Sequence, residues 1–323
     1  MFNLIRDYER IVSLQANRRA ELGTQGACRY CRKSGSDVTF RSAAHALPEL
    51  IGNKHLYSLD ECDSCNAYFD KNLENDLANF LGILRTTTAI KGKKGIPGFK
   101  SKDGQRVERV NDCLIVIEHH NSELVSEDAA TESIALQTRT NPYRPTRVFK
   151  CLAKMAISVL PEQEVKRHLR CIDWIRGTTR SAPPNPRTLV SKVTMLSGNI
   201  PFPHPSISIW KRKEKSKARP RLIAILCFQN FVFEFCLPLS KKSSPAEASN
   251  FSFPDLGLPW NLLSSDGNAS TSVVDLSERD KVVTDRIAHL KLKQPWEQIE
   301  LDAIPAEIKE HLNNLGLSIG PLN

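Results

Sequence analysis

Cys28-Arg-Tyr-Cys31 and Cys62-Asp-Ser-Cys65 are two Cys-x-x-Cys knuckles that flank Ala44-His45-Ala46-Leu47-Pro48-Glu49, and the second knuckle runs directly into Asn66. Thiolates from two such pairs can take the corners of one tetrahedral Zn²⁺, closing the 30 residues between Cys31 and Cys62 into a loop. Four sulfur ligands leave no coordination position for water, so this metal is expected to be structural. Chemistry then falls to a side chain that the zinc holds in place, and His45 is the candidate. A histidine in an apolar stretch is more often a packed residue than a catalyst. The position between two knuckles and beside Pro48 is what sets this one apart.

The order Cys-x-x-Cys, His-x-x-Pro, Cys-x-x-Cys-Asn resembles the HNH endonucleases, in the branch where a four-cysteine zinc site braces a ββα-metal nuclease core, and the resemblance covers about residues 25 to 80. It implies a metal-dependent endonuclease that hydrolyses DNA phosphodiester bonds. Such a reaction needs an activated water, a cation on the scissile phosphate and a stabilised leaving oxygen, which one His and one divalent ion can supply. By this resemblance His45 is the general base, its imidazole with a pKa near ~6.5 being partly neutral at working pH. Asn66 falls where the family places its last His or Asn, as a catalytic-site oxygen ligand to Mg²⁺ or another divalent ion.

Two departures stand out. Many family members carry Asp, Glu or His just before the first His as a metal ligand, and here that place is Ala44. Asp70 and Glu74, four and eight residues after Asn66, would share its side of an α-helix and are the replacement ligands; their bland alternative is a solvated face. The middle Asn of the family name has two candidate positions, Asn53 and Ser58, and stays unassigned. Both departures leave room for a rival reading, a non-catalytic zinc-ribbon module that binds nucleic acid or protein.

The elements that must position these residues are expected to form an α+β chain. A zinc-braced HNH core occupies 25–82: a β-prone run at Val38-Thr39-Phe40, a turn at Ile51-Gly52-Asn53, a return strand at Leu56 to Leu59, and a helix from about 64 to 81. Residues 1–24 read as an amphipathic N-terminal helix through Leu4, Ile5, Tyr8, Ile11 and Val12. The 83–180 region reads as a basic arm, a hairpin over Val107 to Ile117 and a buttress of two helices, Pro145 to Leu160 and Pro161 to Ile175. A β-rich antiparallel region follows at 188–240, then a linker at 241–272 and a helical C-terminal segment at 273–323.

Composition narrows the partners. The 323 residues carry a formal charge of +9 and a pI near 9.1, which favours polyanions and here DNA. Nine cysteines are an odd number without pairing logic beyond the knuckles, which fits a reducing cytoplasm. Neither a secretory signal nor a membrane span is read, and a homo-oligomer is compatible with the sequence. Eight Lys or Arg lie between Arg85 and Arg109 against Asp103 and Glu108. With Gly92, Gly95 and Gly98 among them, they suggest a flexible arm whose Lys91, Lys93, Lys94 and Lys100 track phosphates; a solvated loop is the rival. A second basic cluster, Lys211 to Arg221, joins two β-like runs. The resemblance spans phage-defence nucleases, restriction-like enzymes and mobile-element products, with bacterial defence against foreign DNA among the roles implied.

Overall fold

The computed structural model describes residues 7–101, 104–110, 113–118, 124–128, 133–178, 183–213, 220–239, 260–265, 267–291 and 303–314. Strands β1 (Tyr8–Gln15), β2 (Ala20–Leu22) and β3 (Leu56–Ser58) precede helices α1 (Asp63–Phe69), α2 (Asn75–Leu81) and α3 (Leu84–Thr87). Then come β4 (Phe99–Lys100), β5 (Arg106–Val110), β6 (Cys113–Ile117), β7 (Val125–Asp128) and β8 (Ser133–Arg139), and helices α4 (Pro145–Val159), α5 (Glu162–Val165) and α6 (Leu169–Ile175). The remainder holds β9 (Val190–Leu196), β10 (Phe202–Arg212), β11 (Leu222–Gln229), β12 (Phe231–Cys236), β13 (Ala269–Asp275), β14 (Asp285–Lys291) and α7 (Ala306–Asn314). The architecture is α+β.

Its largest sheet is antiparallel in the order β1-β10-β11-β12-β9-β13. Strands β11 and β12 are buried at every position, which explains their almost unbroken apolar sequences: both faces of the sheet are covered. Alternation still sorts them. Ala224, Leu226, Phe228, Phe233 and Phe235 join the main core with α4 and α6, whereas Ile223, Ile225, Cys227, Val232 and Cys236 form a second core with Tyr8 and Trp260. Phe149 on α4 meets Phe235 at 6.2 Å and Trp174 on α6 at 6.3 Å. Full burial of each such ring is worth roughly 1.5–3 kcal/mol. Helix α4 is therefore clamped between this sheet and the zinc-binding segment, because the same core contains Tyr30, Leu47, Leu56, Phe69 and Leu73.

The N-terminal helix expected over 1–24 is a strand in its described part. Tyr8–Gln15 pairs with β10, and a register shift between Arg10 and Val12 breaks the period-two alternation of its apolar residues. Such a bulge brings apolar residues into a spacing that mimics a helix turn. The helical reading from 273 onward is likewise corrected. β13 and β14 occupy much of it, β14 pairing with β8, and only α7 is helical among the described residues. The expected second buttress helix is broken into α5 and α6 at Lys166–His168. Of the linker, residues 241–259 and 266 lie outside the described residues.

Candidate active site and zinc centre

The four knuckle cysteines converge. Their sulfur atoms all lie within 4.8 Å of one another, with Cys28 and Cys65 at 3.5 Å and Cys31 and Cys62 at 3.8 Å. A tetrahedron of Zn–S bonds of about 2.3 Å has sulfur–sulfur edges of about 3.8 Å, so this donor set fits one zinc ion. Three of the four are buried. The knuckles are fastened to the buttress helices, with Arg29 donating to the carbonyls of Ile157 and Leu160 at the end of α4, at 2.8 and 2.9 Å, while also pairing with Asp60 at 2.8 Å. Arg32 pairs with Asp173 on α6 at 2.6 Å, and the Arg176 guanidinium donates to Cys65 Sγ.

His45 lies between two buried alanines and faces the other way. Ala44 and Ala46 are sealed in the core, and the His45 ring stands over Tyr57 with centroids 4.7 Å apart. No strand forms at Val38-Thr39-Phe40. The first arm of the hairpin is reduced to the His45–Tyr57 bridge, flanked by Ala46 N–H to Leu56 O at 3.0 Å and Ser58 N–H to Ala44 O at 2.8 Å. Asp63 ties that arm to the helix start, accepting from Thr39 Oγ1, from Arg41 N–H at 3.1 Å and from Ser42 N–H at 2.8 Å. The Thr39 bond and these two amides hold the Asp63 carboxyl down at about 2.

Of the two positions left open in the sequence, Asn53 is the one that clamps the turn. It is fully buried after Gly52, whose φ of 93° turns the chain, and its Nδ2 donates to Leu47 O at 2.6 Å and Leu56 O at 2.9 Å. Its Oδ1 accepts from the N–H of His55 and Leu56 at 3.0 and 2.9 Å, and Nδ2 lies 3.4 Å from His45 Nδ1. One amide thus ties the residues after His45 to the return strand.

A loop–hairpin–helix with a histidine opposite a tyrosine, an asparagine clamping the turn and two zinc knuckles beneath is now complete. Residues 28–81 match the HNH endonuclease family. Comparison with curated proteins and with solved structures gave no match. The HNH module so defined ends at the last residue of α2, so α4 and α6, which floor it, come from elsewhere in the chain.

The helix of the HNH module does not keep the phase expected of it. Asp70–Glu74 is π-helical, and its wider turn upsets the regular four-residue spacing that would align Asn66, Asp70 and Glu74. Asp70 faces solvent, while Glu74 turns partly inward. Burial pushes the Glu74 carboxyl above its ordinary value, Lys154 opposes, and Asp70 and Glu49 add to the rise. Asn66 sits partly exposed on the first turn of α1. Asp70 and Glu49 act on Glu74 electrostatically without forming a closed cage; the four cysteines are the only group of three or more Cys, His, Asp or Glu close enough to hold an ion among the described residues.

Glu49 was not foreseen. It lies 4.0 Å from His45 Nε2 and 3.2 Å from Lys54 Nζ, and Lys54 also donates to Gly92 O at 3.0 Å. That bond docks the basic arm on the HNH module. Gly92 and Gly95 bridge each other across a tight turn whose tip is Lys93-Lys94. Burial holds the His45 imidazole below its ordinary value; Glu49 opposes, and Lys154, Lys54 and Lys93 add to the lowering. The flexible arm inferred from the glycines is therefore anchored. Phe99 and Val107 pack with Ile83 in a small core, and Arg109 donates to Thr87 O at 3.2 Å. Lys91, Lys93, Lys94 and Lys100 remain exposed. In the other basic cluster, residues 214–219 lie outside the described residues, and Arg221 is buried against Glu164 at 2.9 Å. A cleft of about 460 Å³ opens beside Ala44 and Tyr57, with Arg19, Arg41 and Phe40 on its walls.

Proposed function

We propose that this chain is a divalent-metal-dependent endonuclease acting on DNA, with His45 as general base. The observation that supports it best is the preparation of His45: a partly exposed ring over Tyr57, a backbone fixed on both sides, and an imidazole whose pKa is lowered by burial and by surrounding lysines. A zinc ribbon used only for binding has no need of that preparation. Asn66 and Glu74 are the oxygen donors we assign to the divalent ion, in place of the exposed Asp70. Mg²⁺ keeps several waters and takes one or two carboxylates along with substrate phosphate, a mode that suits donors dispersed as these are. When bound it places positive charge on the scissile phosphate. Supercoiled plasmid incubated with the protein and Mg²⁺ or Mn²⁺ should be nicked or linearised. Asn66→Ala and Glu74→Ala should each raise the Mg²⁺ needed for half-maximal cutting, and Asp70→Ala should not. Equal titrations in all three variants would remove the helix from the metal site.

DNA is held, in this reading, by the Lys93-Lys94 tip and by Lys91 and Lys100, with the Arg19–Arg41 cleft continuing the path past Tyr57. Phosphate contacts of this kind position the duplex without reading its sequence. Replacing Lys91, Lys93, Lys94 and Lys100 together by Gln should weaken binding to all sequences about equally. It should also flatten the slope of log affinity against log salt by up to ~0.9 for each lost contact. Unaltered affinity and slope would return the arm to ordinary solvated surface.

A further inference from the structure

Lys154 is among the largest fully buried side chains, 1 % exposed on α4, well outside the segment that matches the family. An ammonium in a protein core is costly unless it is paired and hydrogen-bonded, and a Met of similar reach would fill the space without that cost. Its partners are on the HNH module: Nζ donates to His45 O at 2.7 Å, its charge is paired with Glu61 Oε2 at 2.9 Å, and it stands 5.6 Å from the centre of the Phe69 ring. The bond to His45 O is the one that matters here. The two peptide groups that flank His45 are held by the return strand through Ala44 O and Ala46 N–H, and Lys154 adds a donor from the other side to the carbonyl of the second, His45 O.

We propose that Lys154 is a positioning residue for His45, fixing from the helical buttress the backbone on which the general base stands. The proposal rests on the nuclease reading given above for its effect on rate. Its mechanism is geometric: a displacement of about 1 Å at a reacting group can cost on the order of 10²-fold. It also gives the region beyond the HNH module a task, since the lysine reaches His45 only because α4 is packed between the large sheet and the zinc knuckles.

A merely structural role, neutralising Glu61, makes a different set of results. Lys154→Met alone leaves the Glu61 carboxylate sealed and unpaired, so the informative variants are Glu61→Gln and the double variant Lys154→Met with Glu61→Gln, each in the full chain and with zinc content measured. Glu61→Gln, which keeps the donor to His45 O, should cut plasmid within about 3-fold of wild type. The double variant should lose roughly 10-fold to 100-fold in kcat with DNA affinity unchanged, and its His45 imidazole NMR signals should shift and broaden. Wild-type kcat and an unmoved His45 signal in the double variant would overturn the proposal. So would a loss in folded Glu61→Gln as large as in the double variant, and that single variant decides if the double one loses its zinc. Failure of the wild-type protein to cut DNA at all would count against the nuclease reading, while the His45 signal would still decide whether Lys154 positions the ring.

Discussion

His45→Ala should cut plasmid at least about 100-fold more slowly than wild type while keeping its zinc, its fold and its affinity for DNA. The reasoning is local. The ring tilts over Tyr57 and approaches Asn53 and Glu49, whereas the buried neighbours that hold the loop, Ala44, Ala46 and Leu47, stay in place. A general base acts in the transition state, so its removal should lower kcat and leave ground-state binding nearly intact. The pH dependence carries a sign. On the proposed mechanism the neutral imidazole is the working form, and burial together with Lys154, Lys54 and Lys93 outweighs Glu49 to place its pKa below the ordinary value. The acid limb of kcat/KM should therefore fall below about pH 6.5, with a flat profile through neutrality. Lys54→Gln removes one of the positive charges that disfavour the imidazolium, so it should move that limb to higher pH. Wild-type rates in His45→Ala would place the base on another residue.

What the sequence disclosed follows from how local each feature is. The zinc ligands are two four-residue knuckles whose spacing is itself the signal, and His45 with Pro48 lies at a fixed place between them. Asn53 could not be chosen over Ser58 because its function is set by what the turn brings to it: Leu47 O and Leu56 O become its partners only once Gly52 has reversed the chain. Its place directly after the glycine of the turn is the trace that could have favoured it. Glu49 and Lys54 were missed for a related reason, since their link to the arm runs through the carbonyl of Gly92, 38 positions away from Lys54.

The face shared by Asn66, Asp70 and Glu74 failed for a different cause. Spacing arguments assume 3.6 residues per turn, and the π-helical Asp70–Glu74 segment does not obey that period. β1 was misread because a bulge disguised a strand, and β14 because the partner that makes it a strand, β8, is distant in the chain. The helical pair of α4 and α6 showed no motif in the sequence. Its contribution to the site is a floor: carbonyls of Ile157 and Leu160 for Arg29, a carboxylate for Arg32, and one lysine beneath His45. Single residues spread over helices leave no spacing pattern to read.

Removing the zinc should undo the HNH module and leave the large sheet standing. Cys28→Ser or Cys65→Ser takes one corner from a tetrahedral site, and a bound structural zinc contributes on the order of 10–16 kcal/mol in small zinc-binding peptides. That is as large as the whole stability of a typical domain, about 5–15 kcal/mol. The segment has little to replace it. Its β structure is two isolated bridges, at Ser34 and at His45, and three residues of β3, with Asn53 and Asp63 tying the loop between. The strands β9 to β12 draw their cohesion from their own apolar faces, so they should survive. In the Ser variants elemental analysis should find far less than one zinc per chain, plasmid cutting should vanish, and hydrogen exchange should be fast in residues 28–81 but slow in β11 and β12. The contacts from Arg29 and Arg32 to α4 and α6, and from Arg176 at the end of α6 to Cys65, make the outcome a real test. If those bonds suffice, the variant will lose metal yet keep slow exchange around His45, and zinc will then be a minor brace beside the helical buttress.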